Sequence, residues 1–404
     1  MSSAAGTEIP PHVPRERVFD FDFRAPPGHH DDVHLAWKRA VEGAPDIFWT
    51  SRNGGHWVAV RADDIEVMQR DHEHFSHEVV TIPPQPSLRL APLEYDPPAH
   101  TPLRAILSPS FAPKPMHELQ APVRALCREL IDGFHARGEC EFVGDFAKRL
   151  PIVVFLRLVD LPLTDREHLL ALTEKTVRGA PAEQVEGYQG LFAYVQQWIE
   201  RRRASPGADL FSKIVNARVN GQPLAPDVTF GMLANVIFGG LDTVAASLSF
   251  VTRWLAENPQ PRRQLVSHPE MIADALEEFY RRFGIPQTGR LITQDYLYRG
   301  VPFRKGDLVL LSKTLHGLDE RRYPDPLRVD FGRKRAPHAA FGDGPHRCPG
   351  SFLARQELRI FLEEWLARIP DFSIKPGERA VTSSGMVNGM LSLPLVWDTR
   401  SLSE

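Results

Sequence analysis

Cysteine is scarce in this chain. Cys127, Cys140 and Cys348 are all it has in 404 residues, and an odd number so widely spaced excludes a disulfide framework and fits a reducing compartment. An excess of either charge is also missing. With 48 Lys and Arg against 51 Asp and Glu, the net charge of −3 makes no case for nucleic acid or an anionic membrane as partner. No apolar run reaches the ~18 residues of a membrane span and no signal peptide precedes Pro10-Pro11, so a soluble, cytoplasmic protein is expected. Gly-x-Gly-x-x-Gly, a phosphate loop and a Gly-x-Ser-x-Gly elbow are absent, which leaves the chain no nucleotide-binding module of its own.

Proline is plentiful instead. The 36 prolines fall mainly between helical patterns, as many short connections require. Those patterns run over 116–138, 165–179, 183–204, 209–219, 226–258, 268–283 and 351–369, with strand-like pieces at 56–61, 307–311 and 393–397. Residues 63–70 read as a short helix and 81–95, with four prolines, as a loop. The fold class is therefore mainly α with small peripheral β-sheets. No repeat or linker divides the chain, so residues 1–404 are read as one domain, with the polar, Pro-rich 1–24 a surface tail.

The densest chemical signal is Phe341-Gly342-Asp343-Gly344-Pro345-His346-Arg347-Cys348-Pro349-Gly350, followed by the helical run from Ser351. A thiolate at a helix N-terminus is stabilised by the dipole and by unpaired backbone N–H groups, and can ligate a metal. A buried core cysteine after a Gly-rich turn is the plainer alternative. The pattern Phe-x-x-Gly-x-x-x-Cys-x-Gly resembles the haem-ligand loop of the cytochrome P-450 superfamily of haem-thiolate monooxygenases. That resemblance implies haem b as cofactor, with Cys348 as axial ligand of its iron and Phe341 beside it. It also implies a haem buried between a long distal helix and the helix that follows the cysteine.

The 226–258 helix carries the second signal. Gly239-Gly240-Leu241-Asp242-Thr243 sits at its middle, and each glycine costs about 1 kcal/mol against alanine inside a helix. Close approach of a flat ligand, a local opening of the hydrogen-bond ladder, or helix–helix contact could compensate. The segment resembles the Gly-Gly-x-Asp/Glu-Thr element of the superfamily's distal helix. By that resemblance the glycines make room over the haem, and Asp242 and Thr243 are the catalytic pair that delivers protons.

Two further elements follow in the expected order. Glu278 and Arg281 lie at i, i+3 on one helical face and can pair; they resemble the superfamily's Glu-x-x-Arg pair, with Arg333 as its third, structural member. Tyr95 to Arg104 resembles an Asp-Pro-Pro-x-His-x-x-x-Arg segment. His100 and Arg104, four apart in a helix started by Pro98, would face one way. With Arg290 and His346 they match the contacts to the two haem propionates.

Patches from about Glu73 to Asp398, including GGLDTV, LARIPDFSIKPG and SGMVNGMLSLPLVWD, are similar to the camphor-hydroxylase family of bacterial monooxygenases. The likeness places Asn235 and Phe238 on the pocket face of the long helix, Pro286 after Arg281, and Met386 and Val387 in a late turn. Asn235 reads either as a substrate anchor or as a backbone contact. Camphor oxidisers of that family carry a substrate-binding tyrosine before Asp-Pro-Pro, where this chain has Leu88. A small hydrophobic terpenoid or norisoprenoid other than camphor is therefore the expected substrate, hydroxylated with O2. Electrons would come from a [2Fe-2S] ferredoxin served by a NAD(P)H-dependent reductase and docking at Arg104, Arg335, Arg347 and Arg355. The alternatives are a haem-binding sensor or carrier without turnover, and a peroxide-driven peroxygenase. Pro349 lacks an N–H, which removes one backbone donor from the sulfur. The clusters His72-x-His74-x-x-His77 and His29-His30-Asp31-Asp32-x-His34 lack the spacing of a zinc site.

Overall fold

The helix Pro226–Glu257 organises the molecule. Proline at its first position suits a helix start, and 32 residues extend about 48 Å at 1.5 Å each. Arg149–Leu158, Pro181–Ala204 and Ser351–Arg368 all pack against it. The computed structural model describes residues 7–84, 89–178, 181–333 and 337–399. Among these, only Pro226–Glu257 is long and apolar enough to cross a bilayer, although the sequence shows no continuous apolar run of that length. Its most apolar stretch is 53% buried within the fold, as befits a core helix.

Ser351–Arg368 packs on Gln120–His135, where Phe134 meets Trp365 at 6.0 Å, and on the turn after it, where Trp365 meets Phe142 at 5.1 Å and Phe361 meets Phe146 at 5.0 Å. Arg149–Leu158 escapes the sequence reading: Leu150 to Leu156 are all buried, and a short continuous apolar run cannot be told from a buried strand by its pattern. Its Pro151 lies in the first turn, where no helical hydrogen bond is lost.

At the edge stands a five-stranded sheet. Its order is Ile47–Thr50, His56–Ala59, Leu308–Ser312, Gln287–Ile292 and Phe75–Ser76, antiparallel except for the pair His56–Ala59 with Leu308–Ser312. In it Val309 faces Arg290 and Leu311 faces Thr288, which puts Thr288 and Arg290 on one face. The other sheets have two or three strands each.

Several expectations need correction. The 116–138 pattern divides into Pro113–Glu118 and Gln120–His135, and 209–219 into the helix Leu210–Val215 and the strand Arg218–Val219. The helix after Asp-Pro-Pro is His100–Leu107, two residues later than expected. Residues 7–24 are no surface tail. Phe21 and Phe23 are fully buried, and Phe21 lies 5.2 Å from Trp37, edge to face. The alternation Phe19-Asp20-Phe21-Asp22-Phe23 is the signal for this, since every second side chain of an extended segment faces one way.

Candidate functional site

The cysteine loop is shaped before it reaches the sulfur. Gly342 and Gly344 take φ of +70° and +68°, and a Cβ on Gly344 would come 3.0 Å from the Gln69 carbonyl oxygen. Only glycine fits there. A short 3-10 turn, Gly344–His346, follows, opened by Asp343, whose side chain accepts from the Gly344 N–H and pairs with Arg70. The Cys348 N–H then donates to the Phe341 carbonyl at 2.8 Å, and Ser351–Arg368 begins. Cys348 is exposed at its surface although many protein atoms lie around it. Burial raises its pKa; a hydrogen bond from the Gly350 N–H and the charges of Arg104, Arg355 and Arg347 oppose that rise. The sulfur thus keeps a backbone donor although Pro349 supplies none. Cys127 and Cys140 are buried, with pKa values raised by burial and by nearby carboxylates.

On the long helix the two glycines have separate jobs. A Cβ on Gly239 would meet nothing within 4 Å, whereas one on Gly240 would lie 3.6 Å from Phe155 of Arg149–Leu158. Gly239 borders open space and Gly240 makes a helix–helix contact. The helix runs unbroken through both, so the expected interruption of the ladder is absent. Thr243 Oγ1 donates to the Gly239 carbonyl at 3.0 Å, and Asp242 and Thr243 are both half-buried.

A cluster of cations and imidazoles forms the third part. His100 and His346 have ring centroids 4.3 Å apart, and His77 stacks on His346 at 3.4 Å. Arg290 is buried, with one Nη donating to the Gly289 carbonyl at 2.6 Å. Lys313 is 4% exposed and donates from Nζ to Thr288 Oγ1 at 2.7 Å. Arg104 donates to the Arg347 carbonyl at 2.6 Å. The acid here, Asp96, is already engaged by the Ser76 hydroxyl and the His77 N–H, and stands 3.8 Å from His346.

Among the described residues, no partner is found for either ring nitrogen of His77, for Nε2 of His100 and His346, or for Nε of Arg290. Burial, with the neighbouring cations, lowers His100 to about 4 and depresses His77 further. Burial brings Arg290 down to about 9 against the pull of Asp96. Orphaned buried donors cost about 1–3 kcal/mol each, so they mark a place built for an absent acceptor.

The pocket residues come together in part. Pro286 and Val387 form an antiparallel bridge and the Gln287 N–H donates to the Met386 carbonyl at 2.7 Å. Asn235 donates from Nδ2 to the Ala91 carbonyl at 3.2 Å, which is the backbone contact rather than a free anchor. Phe238 packs edge to face on Tyr188 at 6.1 Å. With Phe230, Ala234 and Ile237 it borders an apolar groove of about 520 Å³ against Tyr188 and Phe192 of Pro181–Ala204. Leu88 and Arg335 lie outside the described residues.

Glu278, Arg281 and Arg333 form a closed knot. Arg281 donates from Nε and Nη2 to the Glu278 carboxylate at 2.8 and 2.7 Å, and Arg333 Nε reaches it at 3.1 Å. The remaining Arg281 donors go to the Gly317, Pro326 and Arg328 carbonyls. Of the expected docking arginines, Arg347 is exposed, while Arg355 is bidentate on Glu277 at 2.6 and 2.9 Å and covers the Phe341 ring at 4.4 Å. Arg355 is thus a structural cation and not a free docking charge. His34 belongs to a helix, Val33–Ala40, buried with its Nε2 on the Gly284 carbonyl at 3.1 Å, and His74 stacks on Tyr296 at 3.9 Å. Among the described residues no His, Cys, Asp and Glu group could hold a metal ion.

The donor set suits a haem. The accessible thiol would meet its iron, Gly239 leaves room over its face, and the orphaned ring nitrogens of His100 and His346 and the Nε of Arg290 suit its two carboxylates. Sequence reading missed Lys313, which lies in no recognisable motif, and weighed His77 only within a histidine cluster that lacks the spacing of a zinc site.

Comparison with known proteins agrees. The Cytochrome P450 family model matches residues 270–393. "Probable cytochrome P450 127A1" of Sinorhizobium fredii (strain NBRC 101917 / NGR234) is 33% identical over 400 residues, covering 96% of this chain and 97% of that protein. The crystal structure of cytochrome P450 CYP101C1 is 38% identical with a TM-score of 0.90, and that of CYP101J2 is 37% identical with a TM-score of 0.87. Each covers 97% of this chain and 100% of its own.

Proposed function

This chain belongs to the cytochrome P450 family, and we propose that it hydroxylates an unactivated C–H bond of a small hydrophobic terpenoid or norisoprenoid. As a P450 monooxygenase it carries haem b and depends on a redox partner. The bound haem supplies the oxygen-activating chemistry. In this reading Cys348 ligates its iron, with the Gly350 N–H and three arginines sharing the sulfur's charge. His100, Arg104, Arg290 and His346 take its carboxylates, and Phe341 packs beside it.

The observation that carries the reading is an accessible thiol just before the helix Ser351–Arg368, in one protein with the buried cations Arg290 and Lys313, which make no ion pair among the described residues. Thr243 Oγ1, with its own proton on the Gly239 carbonyl, keeps acceptor capacity toward the space Gly239 leaves. It can hold a water or hydroxyl proton there, and Asp242 exchanges protons with solvent from the next position. A sensor or carrier would have no use for this acid–alcohol pair, and a peroxygenase would favour a different acid or arginine arrangement.

The substrate class rests on the apolar character of Phe238, Pro286, Met386 and Val387 and on the likeness to the CYP101 structures. Camphor remains disfavoured on the sequence alone, through Leu88. We assign electron delivery to a [2Fe-2S] ferredoxin and its NAD(P)H-dependent reductase. Docking would centre on Arg347 and Arg104, with Arg335, since Arg355 is neutralised by Glu277. A cytoplasmic, soluble enzyme is part of this reading, supported by the half-buried setting of the helix Pro226–Glu257.

The test is a terpenoid screen for the substrate-induced low- to high-spin change, followed by product analysis with ferredoxin and reductase. Hydroxylated product from the tightest ligands, with Thr243→Ala diverting electrons to peroxide or water, is the expected outcome. Ligands that bind and never turn over would favour the carrier.

A further inference from the structure

Lys313 belongs to none of the motifs, yet it occupies the most costly position of any lysine in the described chain. It is 4% exposed and its ammonium has one polar partner, Thr288 Oγ1 at 2.7 Å. Arg290 is 2% exposed and its guanidinium serves only the neighbouring Gly289 carbonyl, with Nε unpartnered. Neither makes an ion pair among the described residues. Arg290 stands on the strand Gln287–Ile292, and Lys313 opens the short helix Lys313–Gly317 that follows its antiparallel partner Leu308–Ser312. Thr288 faces Leu311, Arg290 faces Val309, and Lys313 follows directly after Ser312, which faces Gln287.

The groups around Lys313 do not resolve the problem. Arg290 repels it, and burial, with both cations, depresses His77. Asp96 acts on Arg290, but its two oxygens are already taken by Ser76 and His77. Two adjacent buried cations without a counter-ion are unstable unless one loses its proton or an anion joins them. Deprotonation would leave a neutral lysine as a filler, for which a Leu or Met would serve better. An anion would pair the ammonium and the guanidinium at once.

We infer that Lys313 and Arg290 together hold one carboxylate of the haem, leaving the other to His100, Arg104 and His346. Thr288 is the positioning residue, fixing the ammonium beside the guanidinium. This rests on the haem reading above and extends it to a residue that no motif assigns. A cation there also lies near the iron's charge. It favours the reduced centre, so it makes the haem easier to reduce.

The experiment uses purified holoenzyme carrying Lys313→Gln, Lys313→Met or Lys313→Arg. Two properties are read: the rate of haem transfer to apomyoglobin and the ferric/ferrous midpoint potential. Each protein is also reconstituted with haem dimethyl ester, which has no carboxylates. With native haem, Gln and Met should release haem roughly tenfold faster or more and show a lower potential, and Arg should recover most of both. With the ester, wild type and Lys313→Gln should behave alike.

Unchanged haem retention and potential in Lys313→Met would overturn the assignment and make Lys313 a neutral filler. So would an equal loss with haem and with its ester, which would mean packing alone. Failure of the haem reading itself appears separately, as a wild type whose reduced carbon monoxide complex lacks a thiolate signature.

Discussion

Two buried groups of charge lie within this fold and are treated in opposite ways. The Glu278–Arg281–Arg333 knot uses every strong donor of Arg281, two on a carboxylate and the others on three carbonyls. The cluster of His77, His100, His346, Arg290 and Lys313 leaves ring nitrogens and a guanidinium Nε open and sets cations side by side. Equal burial therefore does not mean equal purpose. The satisfied network holds the chain together, while in the reading proposed above the unsatisfied one takes the carboxylates of the haem.

The sharpest way to break this comparison is to remove Arg281. Arg281→Met leaves the buried Glu278 with Arg333 and the Asp330 N–H, and takes the side-chain donor from the Gly317 and Pro326 carbonyls. Loss of one partner of such a pair costs about 3–5 kcal/mol. Thermal unfolding followed by far-UV circular dichroism should drop steeply whether or not haem is bound. A mild effect would mean that the knot is no more structural than the cluster.

Arg290→Met should separate folding from cofactor binding. The cation is already strained by burial, so far-UV unfolding after haem release should be unchanged or slightly higher, while haem transfer to apomyoglobin should quicken roughly tenfold or more. Equal losses in both would merge the two regions into one class.

A smaller test uses a third buried charge. Glu357, on the helix after the cysteine loop, is 2% exposed with Oε2 unpartnered, and burial pushes its carboxyl up to about 8 from an ordinary 4.5. A folded-state pKa above the unfolded one means that the folded protein holds the proton more tightly. Its contribution is fully present below about 4.5 and is lost as pH rises through about 8. Glu357→Gln should flatten the decline in unfolding temperature across that window and make the protein more stable than wild type at its upper end. A wild type with no such decline would show that the carboxyl has a partner.

What could be read from the sequence follows the range of each interaction. Phe341 to Gly350, Gly239 to Thr243, and Glu278 with Arg281 are local patterns whose spacing already states their geometry. Lys313 was invisible because its meaning depends on Thr288 and Arg290 across a strand pair. Arg355 looked like a docking cation because Glu277 is 78 residues away in the chain. Asn235 stayed open until its amide was seen on the Ala91 carbonyl, 144 residues distant. The buried Phe21 and Phe23 were obscured by the prolines and acids around them, which outweighed a clear alternation. Pro349 was read correctly as lacking a donor, but sequence could not say that Gly350 serves the sulfur instead.

One spectrum tests whether the thiol of Cys348 is the iron ligand. The reduced protein under carbon monoxide should show the red-shifted Soret band of thiolate ligation, which Cys348→His abolishes while Cys127→Ala and Cys140→Ala retain it. Survival of that band in Cys348→His, or its loss in either of the other two, would contradict the account.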